Sequence, residues 1–241
     1  MITRTHYEVG QTALSIVCDD SYLGTVHEAV FEAREAIETK IAEDSFFGTT
    51  FDPYPVSEDD DPIIQGMCQA SILAKVGPMA GVAGAVAEHA VRAAVRAGCG
   101  YIIVENGGDI SMSSDRDVRI GLFAGEPGFE DLALLIRPTS GIAGVCSSSG
   151  KIGPSVSFGS SGICTVFSNN IVLADCCATA LGNMIREGTQ EEMASACESI
   201  CGIEGIDGCL CVCGGRMAVC GDVPELVRGT FGEDKLTSIV L

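Results

Sequence analysis

The order of strand and helix patterns along the chain constrains its fold class more than any single motif does. Short alternating runs predict two strands over residues 3–18, and strand patterns recur between residues 101 and 136. Helical patterns are instead grouped, over residues 22–44 and 62–75 and over the small-residue segment 77–100. Because strands do not alternate regularly with helices, this order favours an α+β fold with mixed or antiparallel sheets over a doubly wound parallel sheet.

Net charge and apolar run length exclude several classes of function. The 241 residues carry 14 Lys and Arg against 33 Asp and Glu, a net charge of −19. Such a chain is not expected to bind nucleic acid through phosphate neutralisation. No apolar run is long enough for a membrane span, and the N-terminal "MITRTHYEVG" lacks the pattern of a signal peptide. We therefore predict one cytoplasmic domain, residues 1–241, with room for two lobes and without membrane or nucleic-acid partners.

Thirteen cysteines are a high number for a chain without a signal peptide. We expect reduced thiols that fill the core rather than disulfide bonds. Cys209, Cys211 and Cys213 alternate and so share one strand face, whereas Cys197 and Cys201 share one helix face. Zinc sites prefer CxxC loops, so core packing is the favoured interpretation, and a redox or metal–thiolate protein is the weaker alternative.

One acidic residue interrupts an apolar helix pattern, "IVLADCCATALGNM" over residues 171–184. Asp175 and Thr179 are four positions apart and therefore lie on one helix face. A buried carboxylate is costly unless it is paired, and no Lys, Arg or His occurs between Lys151 and Arg186. Asp175 is therefore expected either to cap a helix end or to meet a partner from elsewhere in the chain, which could be a cation.

Three glycine-rich segments are candidate ligand sites, and each also has a structural interpretation. "GPMAGVAG" offers amide groups at a helix start to an anion, or packs a helix closely. "ENGGDI" is a hairpin turn or a place where a ligand approaches the backbone. Residues 141–162 are dense in Ser and Gly, and residues 147–162 of this segment are predicted to form a loop, either functional or a plain surface loop. The candidate residues are Gly77, Pro78, Gly81, Asn106, Gly107, Gly108, Asp109, Ser148, Ser149 and Gly150.

Four segments in order, "GPMAGVAGAVAE", "VENGGDIS", "CSSSG" and "LADCCATALGN", resemble the ApbE family of FAD:protein FMN transferases. The resemblance spans about residues 70–185 and implies an α+β ApbE-like fold. It implies binding of FAD and of a divalent cation, usually magnesium. By this resemblance Asp175, Thr179 and a backbone carbonyl near Val82 hold the metal, and the three glycine-rich segments line the nucleotide site. Hard oxygen ligands one helical turn apart suit magnesium.

The resemblance also implies transfer of FMN to a Thr or Ser of a target protein, with cleavage of the FAD pyrophosphate. The family's H-I-I-D-P-x-T-G segment should fall between Lys151 and Thr165, but "IGPSVSFGSSGIC" contains neither His nor Asp. No catalytic residue is therefore assigned. The alternative is a non-catalytic protein of the same fold that binds a flavin or another small ligand. The surplus of small residues in segment 77–97 leads us to expect a homodimer.

Overall fold

The computed structural model describes residues 1–138, 140–149 and 161–229. Eleven strands in this part of the chain form two antiparallel sheets. The larger sheet has the order β1-β2-β3-β4-β7-β8-β9-β10, and the smaller has the order β11-β6-β5. The strands are β1 Ile2–Val9, β2 Thr12–Asp19, β3 Ile102–Asn106, β4 Asp109–Ser113, β5 Val118–Gly121, β6 Leu132–Ile136, β7 Ala143–Ser148, β8 Ile163–Ser168, β9 Gly208–Cys213, β10 Arg216–Gly221 and β11 Glu225–Arg228.

Five α-helices cover one face of the larger sheet. They are α1 Leu23–Glu43, α2 Pro62–Ala74, α3 Val82–Arg96, α4 Ile171–Met184 and α5 Gln190–Cys201, and a 3-10 turn, Pro78–Gly81, precedes α3. α3 packs on β3 and β4, α4 packs on β7 and β8, and α5 packs on β9 and β10. α1 and α2 form an outer row against α3 and α4. The helices and sheet thus enclose a core on this side, in which small side chains allow close approach of the backbones.

The opposite face of the larger sheet packs on the smaller sheet. Ile110, Met112, Val145 and Phe167 point to this side and contact residues of β5 and β6. Their sequence neighbours point to the helices, because successive side chains of a strand alternate between faces. The interior strands β8 and β9 are therefore buried at every position. This explains why their sequences, "ICTVFS" and "GCLCVC", are apolar or small throughout rather than alternating.

The α+β prediction is confirmed, and the predicted helices and the hairpins β1–β2, β3–β4 and β9–β10 occur where expected. The prediction of a loop over residues 147–162 is wrong at its start, because residues 147 and 148 are the end of β7, residues 143–148. Most of the remaining loop, residues 150–160, lies outside the described residues. Serine and glycine suit this strand because it is enclosed between β4 and β8, where Gly144 approaches Ile171 and Ser168 closely. β11 was not predicted. The predicted strand at residues 234–241 lies outside the described residues.

Within the described part of the chain, no single helix combines the length and apolar character needed to cross a membrane. Helix α2 and the segment Pro78–Arg96 satisfy that criterion only as a pair, and they are bent by 108° relative to each other.

Candidate functional site

Polar side chains meet between the helix layer and the larger sheet, at the turn that joins β3 to β4. Asn106 ends β3 and Asp109 begins β4, and the two residues pair across the hairpin. Gly107 and Gly108 form the turn with φ angles of +65° and +111°, which other residues rarely adopt. The side-chain amide of Asn106 donates to the Ala83 carbonyl at 3.2 Å. This bond ties the turn to the beginning of α3.

Asp175 of α4 lies beside the same end of α3 and accepts its first amide groups. The Gly84 amide donates to Asp175 Oδ2 at 2.8 Å, and the Ala83 amide also bonds to this carboxylate. Gly81, the residue at the N-cap position of α3, has no side chain with which to cap the helix. A carboxylate at a helix N-terminus satisfies free amides and interacts favourably with the helix dipole. Asp175 therefore caps a neighbouring helix, which is one of the two alternatives expected from the sequence.

The two helices cap each other. Glu88 of α3 accepts from the Ile171 amide at 2.7 Å and from the Val172 amide at 3.3 Å, both at the start of α4. Asn170 completes that end by accepting from the Leu173 amide. The N-terminal amides of α3 were predicted to face an anion, and the anion they face in the structure is the carboxylate of Asp175. Glu88 was not predicted as a functional residue.

Glycines let α3 and α4 come close enough for these bonds. A Cβ atom at Gly84 would lie 2.7 Å from the Ile171 carbonyl oxygen and 2.9 Å from Asp175 Cβ. At Gly81 it would lie 2.8 Å from the Cys176 sulfur, and at Gly77 only 2.0 Å from the Thr50 carbonyl oxygen. Packing thus accounts for the glycines of "GPMAGVAG". A role of Gly77, Pro78 and Gly81 in nucleotide binding stays a prediction.

Asp109 is the second buried carboxyl of the site. It is 7% exposed, and the Cys146 thiol and the Ser147 amide donate to it. Its Oδ1 atom is buried without a hydrogen-bond partner. Burial raises the pKa of Asp109 to about 7. Burial also raises the pKa of Asp175, and the nearby charge of Asp109 raises it further. Neither carboxyl forms an ion pair with a Lys, Arg or His among the described residues.

These oxygens fit a hard divalent cation. Two carboxyls, one with an unpartnered oxygen atom, lie in an interface where like charges disfavour each other. Carboxylate, carbonyl and hydroxyl oxygens are the ligands of magnesium and calcium. No group of three or more His, Cys, Asp or Glu residues in the described part of the chain is placed to hold a metal. A cation here would therefore need further oxygens, such as the Thr179 hydroxyl, a backbone carbonyl or a ligand's phosphates.

The remaining predicted residues lie around this pair to different extents. Thr179 is half-buried, one turn after Asp175 on α4, and Val82 is the first residue of α3. Ser148 is buried on the helix-facing side of β7, and its Oγ atom has no partner. Ser149 donates to the Gly162 carbonyl at 2.7 Å, and Gly150 lies outside the described residues. Ligand contacts of these residues stay predictions.

A groove of about 870 Å³ lies between α1 and α3, and it contains none of the predicted site residues. Its basic side chains are mostly paired with acids, Lys40 with Asp60 and Arg92 with Glu88. Asp60 in the groove also has a buried oxygen atom without a hydrogen-bond partner, but it forms an ion pair with Lys40. We consider Asp109 and Asp175 the better candidate site, because neither of these buried carboxyls has a basic partner among the described residues.

Sequence comparison places the chain in a known group. The profile of the family described as AbpE bacteria matches residues 2–202. The chain belongs to this family. It is 42% identical over 236 residues to a UPF0280 protein of Methanothrix thermoacetophila, a match that covers 97% of this chain and 98% of that protein. It is 37% identical to a UPF0280 protein of Methanocella arvoryzae, a match that covers 96% of this chain and 94% of that protein.

Solved structures of ApbE proteins share the fold of this AbpE-family chain. Flavinyl transferase ApbE of Pseudomonas stutzeri matches with a TM-score of 0.60 at 10% identity, over 91% of this chain and 94% of that one. The ApbE protein of Thermotoga maritima matches with a TM-score of 0.58 at 12% identity, over 95% and 97%. At these identities the likeness shows the fold alone. The predicted resemblance to the ApbE family and the predicted fold are confirmed.

Proposed function

We propose that this AbpE-family chain binds FAD together with a divalent cation, magnesium by preference, at the Asp109–Asp175 pair. One observation carries the proposal: two carboxyls are buried close enough for the charge of Asp109 to raise the pKa of Asp175, and neither is paired with a basic residue in the described part of the chain. Isolated buried carboxylates are costly, and a cation that bridges them to a ligand phosphate would offset that cost. Two proteins that share the fold, from Pseudomonas stutzeri and Vibrio cholerae, are flavin transferases, which supports the choice of a flavin nucleotide.

Each residue has a proposed part in binding. Asp175 and Thr179 present two oxygens from one face of α4, and a carbonyl near Val82 adds a third. Asp109 supplies its unpartnered Oδ1 atom from the sheet side. The nucleotide would lie against the turn formed by Gly107 and Gly108, where a Cβ atom at Gly107 would meet nothing within 4 Å. Ser148, Ser149 and Gly150 would contact the nucleotide from β7 and the segment that follows it.

Charge makes a cation necessary for this ligand. The chain carries a net charge of −19, so a pyrophosphate meets an unfavourable potential at its surface. The Ala83 and Gly84 amides at the start of α3 are bonded to Asp175 and are not free to bind a phosphate. When bound, a divalent cation neutralises charge on the pyrophosphate and favours its cleavage. The proposed reaction is release of AMP with transfer of FMN to a hydroxyl of an acceptor, a Thr or Ser of a target protein.

A second candidate is a flavin-binding protein that does not catalyse transfer. The absence of His and Asp from residues 152–164 favours it, since the family's corresponding segment contains both. Both candidates require the same binding site. They differ only in whether AMP is released when FAD, magnesium and an acceptor peptide with Thr or Ser are supplied.

The test is calorimetric titration of FAD into the protein with and without magnesium. We expect micromolar binding that requires the metal and that weakens at least tenfold in Asp109→Asn and in Asp175→Asn. Asparagine keeps a similar shape and leaves an oxygen to accept from Gly84, so the loss reports the charge rather than the cap. Glu88→Gln is the matched control, because Glu88 also accepts helix amides but faces the start of α4.

Magnesium-dependent FAD binding that is unchanged in both aspartate variants would refute the assignment of the site. Absence of FAD binding under all conditions would refute the proposed ligand. If FAD binds, an assay of AMP release then separates transferase from carrier.

A further inference from the structure

Five cysteines form a continuous chain of thiols between α5 and the β9–β10 hairpin. The Cys197 and Cys211 sulfurs are 3.7 Å apart, and the Cys201 and Cys209 sulfurs are 3.6 Å apart. Cys209 also contacts Cys197, to whose carbonyl oxygen its thiol donates at 3.5 Å, and Cys201 hydrogen-bonds to Cys220. The order of contact is therefore Cys220, Cys201, Cys209, Cys197 and Cys211.

The spacing of cysteines on one helix and on one strand brings these thiols together. Cys197 and Cys201 are one turn apart on the buried face of α5, and Cys209 and Cys211 are two positions apart on the helix-facing side of β9. Cys220 is paired directly with Cys209 across the hairpin and so points the same way. The arrangement does not match a metal centre, since no group of three or more potential ligands in the described residues is placed to hold one.

Access from solvent falls along the chain. Cys201 and Cys220 are partly exposed, whereas Cys197, Cys209 and Cys211 are 0% exposed. A soluble reagent can therefore reach Cys201 but not its partner Cys209. Cys201 is thus the thiol that a reagent reaches first, and Cys209 is a buried thiol in contact with it. Proteins that form a disulfide through a mixed-disulfide intermediate use such a pair.

We propose that Cys201 and Cys209 are a redox-active pair that closes to a disulfide when the protein meets a small oxidised disulfide such as glutathione disulfide. The Cys201 thiolate attacks one sulfur of the reagent, forming a mixed disulfide and releasing one reagent thiolate. The Cys209 sulfur then attacks the Cys201 sulfur, forming the Cys201–Cys209 bond and releasing the second reagent thiolate. Two protein thiols are oxidised to one disulfide, one reagent disulfide is reduced to two thiols, and the two protein protons end on the released thiols.

The thiols of this chain differ in how readily they lose a proton. Hydrogen bonds from Cys209 and Cys211 lower the pKa of Cys197, which favours its thiolate form. The pKa of Cys209 is raised, first by its hydrogen bond to Cys197 and then by burial, so Cys209 keeps its proton until the released thiolate takes it. The first step is slow at neutral pH, because burial raises the pKa of Cys201 to about 11. The pair should thus respond to sustained oxidation rather than to brief exposure.

Closure would join the end of α5 to the start of β9. Cys201 is the last residue of the helix, Cys209 is the second residue of the strand, and the connection between the two elements is short. Because the sulfurs are already in contact, only small side-chain movements are needed to reach the bond length of about 2 Å. The cysteines of the Asp175 helix, Cys176 and Cys177, are not part of this chain of contacts.

The test uses the full-length protein, purified under reducing anaerobic conditions and then exposed to glutathione disulfide. The reaction is quenched by alkylation, and the products are mapped by mass spectrometry without reduction. We expect one disulfide first, Cys201–Cys209, with a mass loss of about 2 Da for the two hydrogens removed. In Cys209→Ala we expect the mixed disulfide of glutathione on Cys201 to accumulate instead. Cys68→Ala, which removes a buried cysteine of the other helix-side core, should behave as the wild type.

Three outcomes would overturn the proposal, and the wild-type map suffices for them if a variant fails to fold. They are a first disulfide between Cys201 and Cys220, random pairing among the thirteen cysteines, and thiols that all stay reduced until the protein unfolds. None of these outcomes depends on whether FAD binds.

Discussion

At the scale of single residues, burial determines the protonation of the two carboxyls of the candidate site, Asp109 and Asp175. Asp109 and Asp175 are 7% exposed each, and they lie near each other without a basic partner among the described residues. Desolvation makes the neutral form of each carboxyl more favourable, and each negative charge disfavours the other. The free protein therefore holds protons on this pair at pH values where exposed carboxyls are ionised.

This gives a dependence of stability on pH with a defined sign. The folded pKa of Asp109 is raised above the ordinary value of 3.8 to about 7, so the folded state binds the proton more tightly than the unfolded state. Protonation of Asp109 therefore adds to the free energy of unfolding as the pH falls from about 7 towards 4. This stabilisation is lost as the pH rises through about 7. Lowering the pH from 7 to 5 should raise the stability of wild type by about 2 kcal/mol relative to Asp109→Asn.

Urea unfolding of wild type and Asp109→Asn at about pH 7 and about pH 5, in the presence of EDTA, measures this difference. The other acidic residues titrate in both proteins, so the comparison isolates the contribution of Asp109. Equal pH dependence in the two proteins would contradict the raised pKa of Asp109. Magnesium, if it binds as proposed, should reduce the difference, because a cation favours the ionised carboxyls.

At the scale of elements, the reciprocal caps and the glycine contacts define how α3 meets α4. Asp175 receives amides of α3 while Glu88 receives amides of α4, so each helix end is satisfied by the other helix. The backbones can approach this closely because Gly81 and Gly84 present no side chain to α4. The position of Asp175 relative to the sheet thus depends on close packing of two helices rather than on α4 alone.

Gly84→Ala should separate the two helices. Its new Cβ would lie 2.7 Å from the Ile171 carbonyl oxygen, which is backbone and cannot turn aside. We expect a loss of about 2 kcal/mol in stability from overpacking, and weaker magnesium binding if the proposed site is correct. The matched control is Gly66→Ala in α2, where the new Cβ would meet nothing within 4 Å. That change should stabilise the protein by about 0.5–1 kcal/mol, because alanine favours helix. Thermal or urea unfolding of both variants checks the opposite signs.

At the scale of the whole molecule, one large antiparallel sheet separates two cores of different character. The helix side contains small residues and most of the cysteines, and the other side contains larger aliphatic and aromatic residues under the smaller sheet. Most of the small residues of α3 are buried within the chain itself. The homodimer stays a prediction, and a monomeric mass in solution would refute it.

Net charge also acts on the whole molecule. A charge of −19 repels itself in the compact state, and salt screens this repulsion. Raising potassium chloride from about 10 mM to about 150 mM at neutral pH should raise the Tm by roughly 2–4 °C, the shift that corresponds to about 1 kcal/mol for a chain of this size. The effect should vanish near pH 4.3, where the chain is close to its isoelectric point. A Tm that does not respond to salt at neutral pH would contradict the prediction.

The amino-acid sequence by itself determined the elements, their class and the family. Helix and strand periods are properties of adjacent residues, so α1 to α5 and most strands could be predicted locally. β7 was missed because its serines and glycines have no strand pattern of their own, and their burial comes from neighbouring strands.

Only the tertiary structure decided which partners the chemically important residues meet. Asp175 and Gly84 are 91 residues apart in the sequence, and the thiols of α5 meet those of β9 only because the helix packs on that strand. Such contacts depend on how whole elements pack and not on local spacing. The sequence could therefore indicate that Asp175 needs a partner, while the packing of α3, α4 and the sheet identified the helix it caps and the second carboxyl beside it.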